Sequence, residues 1–174
     1  AMVARWPGQI SEGTRTDALI QYADVAPTLL SIAGGQPSLS IDGRDFSGVL
    51  RGEVDQHRDF SYSMHNNLPE GPAYPIRSIT DGEWRYIRNL RPDELYIERH
   101  LMGGGRLNNP YWATWLGADP QQQTVYEKIK RYMLRPAEQL YHTRKDPHEL
   151  INLAGLDEHA DVKLRLSRAL DAWL

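Results

Sequence analysis

Apolar residues fall into two rhythms along the chain, helical near the beginning and at the end, alternating in between. From Asp17 to Ala33, the positions of Ala18, Leu19, Val25, Ala26, Leu29, Leu30 and Ile32 predict a helix over Ala26 to Ala33. Gly34-Gly35 stop it as a C-terminal cap does, Pro27 falls in the first turn where a missing N–H costs little, and Asp24 stands ahead as an N-cap. Upstream, Val3 to Trp6 read as a short strand running into Pro7-Gly8, with no sheet nearby in sequence for it to join. Gln36 to Glu53 are rich in turn formers; Asp42-Gly43 is the clearest turn, and Phe46, Val49 and Leu50 suggest one short helical turn.

Beyond this connection the period changes to two. Phe60, Tyr62 and Met64 alternate with Ser61 and Ser63, and the runs Ile76 to Ile79 and Trp84 to Ile87 flank Asp81-Gly82, a pair that supplies the positive-φ positions of a short hairpin turn. The expected strands lie near residues 59–65, 75–81, 83–90 and 138–143, in one antiparallel sheet. Arg91 to Gln123 carry Gly103-Gly104-Gly105, Asn108-Asn109-Pro110 and scattered aromatics, which suits a long excursion with local helix. Thr124 to Leu134 read as a helix with Val125, Ile129, Tyr132 and Met133 on one face. Val162, Leu164, Leu166, Leu170 and Trp173 mark an amphipathic helix over about 160–174 that needs a sheet face to cover. The fold class expected is therefore α+β, a four-stranded antiparallel sheet packed against a C-terminal helix.

Composition narrows the function. The chain has 174 residues, 40% hydrophobic and 25% charged, enough for one ordinary domain or a small domain with a piece of another. With 20 basic and 23 acidic residues and a formal net charge of -3, it has no broad positive field for nucleic acid. There is no cysteine, hence no disulfide, thiolate metal site or cysteine nucleophile in this segment. No apolar run approaches the ~20 residues that span a bilayer, so no membrane partner is expected. The start lacks signal-peptide order, which points to a cytosolic protein or one whose beginning is missing. Ala1-Met2 read as an expression scar and a start methionine, and the unpartnered first strand as the sign of a fragment.

Candidate chemistry is sparse. His65 and Asn66 close a predicted strand before the Gly/Pro loop Asn67 to Tyr74, a place suited either to sugar or sulfate recognition or to a plain solvated loop. Arg77 lies inside an apolar strand, where its guanidinium serves as an anion clamp or as half of a structural ion pair. His142, Asp146, His148 and Glu149 fit no standard metal spacing, and Asp146-Pro147 reads better as turn chemistry. Tyr111, Trp112 and Trp115 are either core or a sugar-stacking platform. Gly103 to Gly105 follow no strand-to-helix phosphate-loop pattern, and there is no Gly-x-Ser-x-Gly or His-Glu-x-x-His.

Several segments together resemble one family. Arg5-Trp6-Pro7-Gly8-Gln9-Ile10, Ala23-Asp24-Val25-Ala26-Pro27-Thr28-Leu29-Leu30 through Ala33-Gly34, and Ile41-Asp42-Gly43 with Val49-Leu50-Arg51-Gly52 resemble, in order and spacing, the region after the catalytic core of sulfatases. Glu138-Gln139-Leu140-Tyr141, Asp146-Pro147-His148-Glu149 and Asn152-Leu153-Ala154 resemble the family's closing Glu-x-Leu-Tyr-Asp…Asp-Pro-x-Glu…Asn-Leu signature, with His142 in place of its Asp. Tyr74-Pro75-Ile76-Arg77 and Arg85-Tyr86-Ile87-Arg88-Asn89-Leu90 are most similar to the heparan N-sulfatase (sulfamidase) branch.

The resemblance implies the C-terminal part of an enzyme that hydrolyses sulfate esters or sulfamates of a sulfated, heparan-like glycan. Residues 1–40 would be the tail of the large α/β catalytic domain, a strand-helix remnant, and residues 41–174 the smaller C-terminal domain. It implies a formylglycine nucleophile made from Cys or Ser in a Cys/Ser-x-Pro-x-Arg motif, and a calcium ion, both in a catalytic domain missing from this segment, which contains no such motif. His65, Asn66 and Arg77 are then the candidate substrate contacts, with no catalytic or metal-binding residue in this chain. The location implied is periplasmic, extracellular or lysosomal. A standalone glycan-binding or structural module is the alternative.

Overall fold

The computed structural model describes residues 2–36, 40–102, 109–118, 121 and 123–174. The chain divides into two compact units, Ala1–Tyr62 with Thr80–Glu83, and Ser63–Ile79 with Trp84–Leu174.

In the first unit a 3-10 turn, Tyr22–Asp24, leads into helix α1, Val25–Ile32. The end follows the expected pattern: the Gly34 N–H donates to Ser31 O at 3.0 Å and the Gly35 N–H to Leu30 O at 2.9 Å, satisfying two of the last carbonyls. Asp24 departs from expectation, because its side chain makes no capping bond to α1. The fully buried carboxylate instead accepts the Gln21 and Arg44 backbone N–H groups, each at 2.8 Å, and both Nε (2.8 Å) and Nη2 of Arg58. Burial pushes its carboxyl up, but the bonds from Arg58, Gln21 and Arg44 outweigh this and hold it well below the usual carboxylate range. Helix α2, Ser47–Arg51, supplies the short helical turn, its Phe46 and Val49 buried.

Val3 to Trp6 form no strand. A strand's donors and acceptors need a partner, no described segment pairs with this one, and Val3 is 96% exposed.

Four strands form one antiparallel sheet in the order β1 (Ser61–His65), β2 (Ile76–Thr80), β3 (Trp84–Asn89), β4 (Glu138–His142). In the turn between β2 and β3 only Gly82 takes a positive φ, with Asp81 instead accepting the Glu83 N–H at 3.0 Å. The β3–β4 register sets Tyr86 opposite Leu140 and Ile87 opposite Gln139, so strand alternation gives Tyr86, Arg88, Glu138 and Leu140 one face and Ile87, Gln139 and Tyr141 the other.

Helix α6, Ala160–Trp173, covers the first of these faces, as its amphipathic pattern requires. Leu166 and Leu170 are wholly buried with Tyr86 and Leu140, each apolar side chain worth about 1.5–3 kcal/mol of burial. Polar ties set the helix in register. Arg88 donates to Asp171 at 2.5 Å and Ser167 at 3.0 Å, while Glu138 accepts the Tyr86 hydroxyl at 2.5 Å and Lys163 at 3.3 Å.

Between β3 and β4, residues 91–123 carry local helix: α3 (Arg99–Met102) and α4 (Pro110–Leu116), the latter capped by Asn109 Oδ1 accepting the Tyr111 N–H at 3.0 Å. The triple glycine 103–105 and Asn108 lie outside the described residues. Helix α5, Gln123–Met133, then leads into β4. Among the described residues no helix is long and apolar enough to cross a membrane.

Candidate functional site

The loop between β1 and β2 is built from Asn67 inward. Asn67 has φ +58°, a region asparagine tolerates better than most residues, and is buried. Its Nδ2 donates to Pro72 O at 2.9 Å and to Ile97 O at 2.8 Å, and its backbone O accepts the Gly71 N–H at 2.8 Å. Gly71 admits no side chain, since a Cβ there would lie 2.0 Å from Ile97 O and 2.5 Å from Asn67 Nδ2. The Tyr74 N–H closes the loop on Asn66 O at 3.0 Å, and the Arg99 N–H ties Glu70 O to α3 at 2.8 Å. A segment that reads in sequence as a soft Gly/Pro loop is thus pinned at both ends and in the middle.

This frame positions Asn66 and Arg77. Arg77 Nη1 donates to Asn66 Oδ1 at 2.9 Å and to Ile76 O at 2.8 Å. Asn66 is exposed and Arg77 half-buried, and among the described residues no carboxylate pairs with Arg77. Its Nε and Nη2 keep their donors unspent among those residues, which is what an anion contact needs.

His65 goes elsewhere. Its Nε2 lies 3.4 Å from the Tyr96 hydroxyl, and their ring centroids are 6.2 Å apart. Tyr96 meets Tyr74 edge-on at 5.3 Å and Tyr132 at 5.7 Å, with the Arg135 guanidinium 3.8 Å above its ring centroid. Burial pushes the phenols of Tyr74, Tyr96 and Tyr132 above their ordinary range, so they stay neutral hydrogen-bonding groups, although Arg135 pulls the other way. The three sequence-predicted residues therefore form a pair, Asn66 with Arg77, and one member of an aromatic cluster, His65. Sequence reasoning missed Tyr96, Arg135 and the role of Asn67. Of these only Asn67 carried a local signal, an asparagine four residues before a glycine.

The residues that carry the family resemblance do structural work. Asn152 Oδ1 accepts the Leu140 N–H at 2.9 Å while its Nδ2 donates to Glu138 O at 3.1 Å, and the Leu153 N–H donates to Leu140 O at 2.8 Å, so this segment satisfies the outer edge of β4. Asp146 accepts the Ile151 N–H at 2.8 Å, Glu149 pairs with Arg85 at 2.6 Å, and the His142 ring lies 4.5 Å from that of Trp84. Among the described residues no group of three or more His, Asp or Glu side chains is placed to hold a metal ion. The Trp112 ring is buried against Tyr132 at 5.6 Å, whereas Tyr111 and Trp115 are exposed, so the three aromatics do not make one platform.

Comparison with known proteins agrees with this architecture. The family described as N-sulphoglucosamine sulphohydrolase, C-terminal, matches residues 1–99. An ulvan-active sulfatase of Formosa agariphila is 30% identical over 174 residues, covering 99% of this chain and 32% of its own length. The human N-sulphoglucosamine sulphohydrolase is 25% identical, covering 97% of this chain and 34% of its own. The chain thus spans about a third of the length of these relatives. A protein solved in complex with its substrate D-glucosamine-2-N,6-O-disulfate shares the fold, with TM-score 0.63 at 20% identity over 97% of this chain and 26% of that one.

Proposed function

Because the chain belongs to the N-sulphoglucosamine sulphohydrolase C-terminal family, we propose that it is the C-terminal part of a sulfatase that hydrolyses sulfate esters or sulfamates of a sulfated glycan, with N-sulfoglucosamine as the sugar recognised. The nucleophile and the calcium ligands belong, on this reading, to the two thirds of the relatives' length that this chain does not span. The described residues offer no cluster for such an ion and the chain no Cys or Ser-x-Pro-x-Arg, so no chemical step is assigned to them. Residues 1–40 are assigned to the tail of the catalytic domain and 41–174 to the C-terminal domain.

What this segment contributes is discrimination. A sulfate pocket alone cannot tell one glycan from another, so selectivity comes from groups that meet the sugar ring and its other substituents. The observation that carries the reading is the Arg77 guanidinium, fixed by Asn66 with donors left over. Arg77 and Asn66 hydrogen-bond the sugar or an acidic group beside it, and His65 borders the same strand end.

The test is hydrolysis of N-sulfated glucosamine and of a chromogenic aryl sulfate by the full-length protein. Turnover of both is expected, with none by the 174-residue chain alone. Turnover by the isolated chain would overturn the assignment, and a full-length protein that binds sulfated glycan without cleaving it would leave a binding module.

A further inference from the structure

A cleft of about 520 Å³ lies between α5 and the face of β3 and β4 that α6 leaves free, lined on the sheet side by Ile87, Gln139 and Tyr141. Helix α5 presents Lys128 and Arg131, three residues apart on one side, and the segment after it presents Arg135 to the same cleft. Trp115, at the end of α4, and Tyr132 add aromatic faces.

The three cations differ in what they are free to do. Arg131 is committed to the wall, donating to Glu149 O, Leu150 O and, at 3.3 Å, the Tyr141 hydroxyl. Glu149, the one acid of the lining among the described residues, is neutralised by Arg85. Arg135 uses only its Nε, to Tyr132 O at 3.2 Å, with its guanidinium carbon 3.8 Å from the Tyr96 ring centroid, and both terminal nitrogens remain without an acceptor among the described residues. A guanidinium held in this way has already lost its rotational freedom and presents a planar fork, the geometry that grips an oxyanion in two places. Lys128 is exposed and has no acceptor among the described residues. Surplus positive charge beside an exposed indole, 41% accessible at Trp115, is the chemistry that receives a sugar ring bearing an anionic group.

We infer that this cleft binds a sulfated sugar residue, with its ring against Trp115 and its sulfate between Arg135 and Lys128. The inference rests on the reading of the protein as acting on a sulfated glycan and adds a second point of contact on that polymer. Tyr96 connects the two places, touching His65 with one part of its ring system and Arg135 with another.

Tryptophan fluorescence reads the site, because Trp115 lines it. The full-length protein is titrated with a heparin-derived tetrasaccharide, with the same tetrasaccharide after chemical desulfation, and with inorganic sulfate. The sulfated tetrasaccharide binds, the desulfated one binds at least about tenfold more weakly, and Lys128→Gln and Arg135→Gln each weaken binding about tenfold. Lys128 has no structural partner to lose among the described residues, so its variant separates binding from folding and should hydrolyse a small aryl sulfate as before. Equal affinity in the unaltered protein and both variants, equal affinity for sulfated and desulfated probes, or no binding of any probe would overturn the inference. Lys128-dependent binding without any hydrolysis would keep the cleft and remove the enzymatic reading; hydrolysis with binding indifferent to Lys128 and Arg135 would do the reverse.

Discussion

Arg77 Nη1 donates to Asn66 Oδ1 at 2.9 Å, so the second residue of β2 is held by the residue just past the end of β1. That bond exists only while the loop from Asn67 to Tyr74 keeps its shape, and the shape depends on the backbone of Gly71 passing against Ile97 O.

Gly71→Ala is therefore expected to cost about 1–3 kcal/mol, because the new methyl forces the backbone apart where no side-chain rotamer can relieve it. Urea unfolding measures the loss. An unchanged midpoint would mean that the loop adapts and that Arg77 is not held through it.

Asp24 and Arg58 make a sharper prediction in the first unit. Asp24→Ala leaves the Arg58 guanidinium, only 10% exposed, without its carboxylate and should cost about 3–5 kcal/mol. The pH dependence has a definite sign. The carboxyl of Asp24 is depressed in the folded state relative to about 3.9 in the unfolded chain, so its contribution is complete well above that value and is lost progressively as pH falls through it toward the lower folded-state value. Thermal melts of the unaltered chain and Asp24→Asn between pH 7 and pH 3 should converge toward the acid end; parallel curves would contradict the pairing.

Asn152 offers a test of the signature at the end of the chain. Asn152→Ala removes both side-chain bonds to β4 and strands the Leu140 N–H, for a loss of about 1–3 kcal/mol. Amide exchange of Leu140 should accelerate in the variant. Unchanged protection there would show that Asn152 does not hold the Leu140 N–H.

These residues also show how far the sequence could be read. The four strands and helices α1, α5 and α6 were legible because each carries its own period, and Leu166 and Leu170 lie buried where the amphipathic pattern of α6 required. The signature around Glu138, Asp146 and Asn152 was recognisable by its resemblance to the family, and the structure shows Asn152 and Leu153 bonding the outer edge of β4. Val3 to Trp6 misled, since a β-like composition says nothing about whether a partner strand exists. Asp24 looked like an N-cap because an acid before a helix is the same local signal whether it caps the helix or meets an arginine 34 residues away. Of the candidate residues, Arg77 stood out as a polar group on a strand and Asn66 as one just past a strand end, while the contact of Arg135 with Tyr96 joins residues whose neighbours in sequence give no hint of it.

The most direct test of the account compares one variant on two substrates. In the full-length protein, Arg77→Ala should lower kcat/KM for an N-sulfated glucosamine glycan by about tenfold or more, the loss of a polar contact of ~1.5–3 kcal/mol, while kcat/KM for a small aryl sulfate and the melting temperature stay close to those of the unaltered enzyme. Equal losses on both substrates together with a lower melting temperature would contradict it, and would make Arg77 part of the scaffold rather than a contact to the sugar.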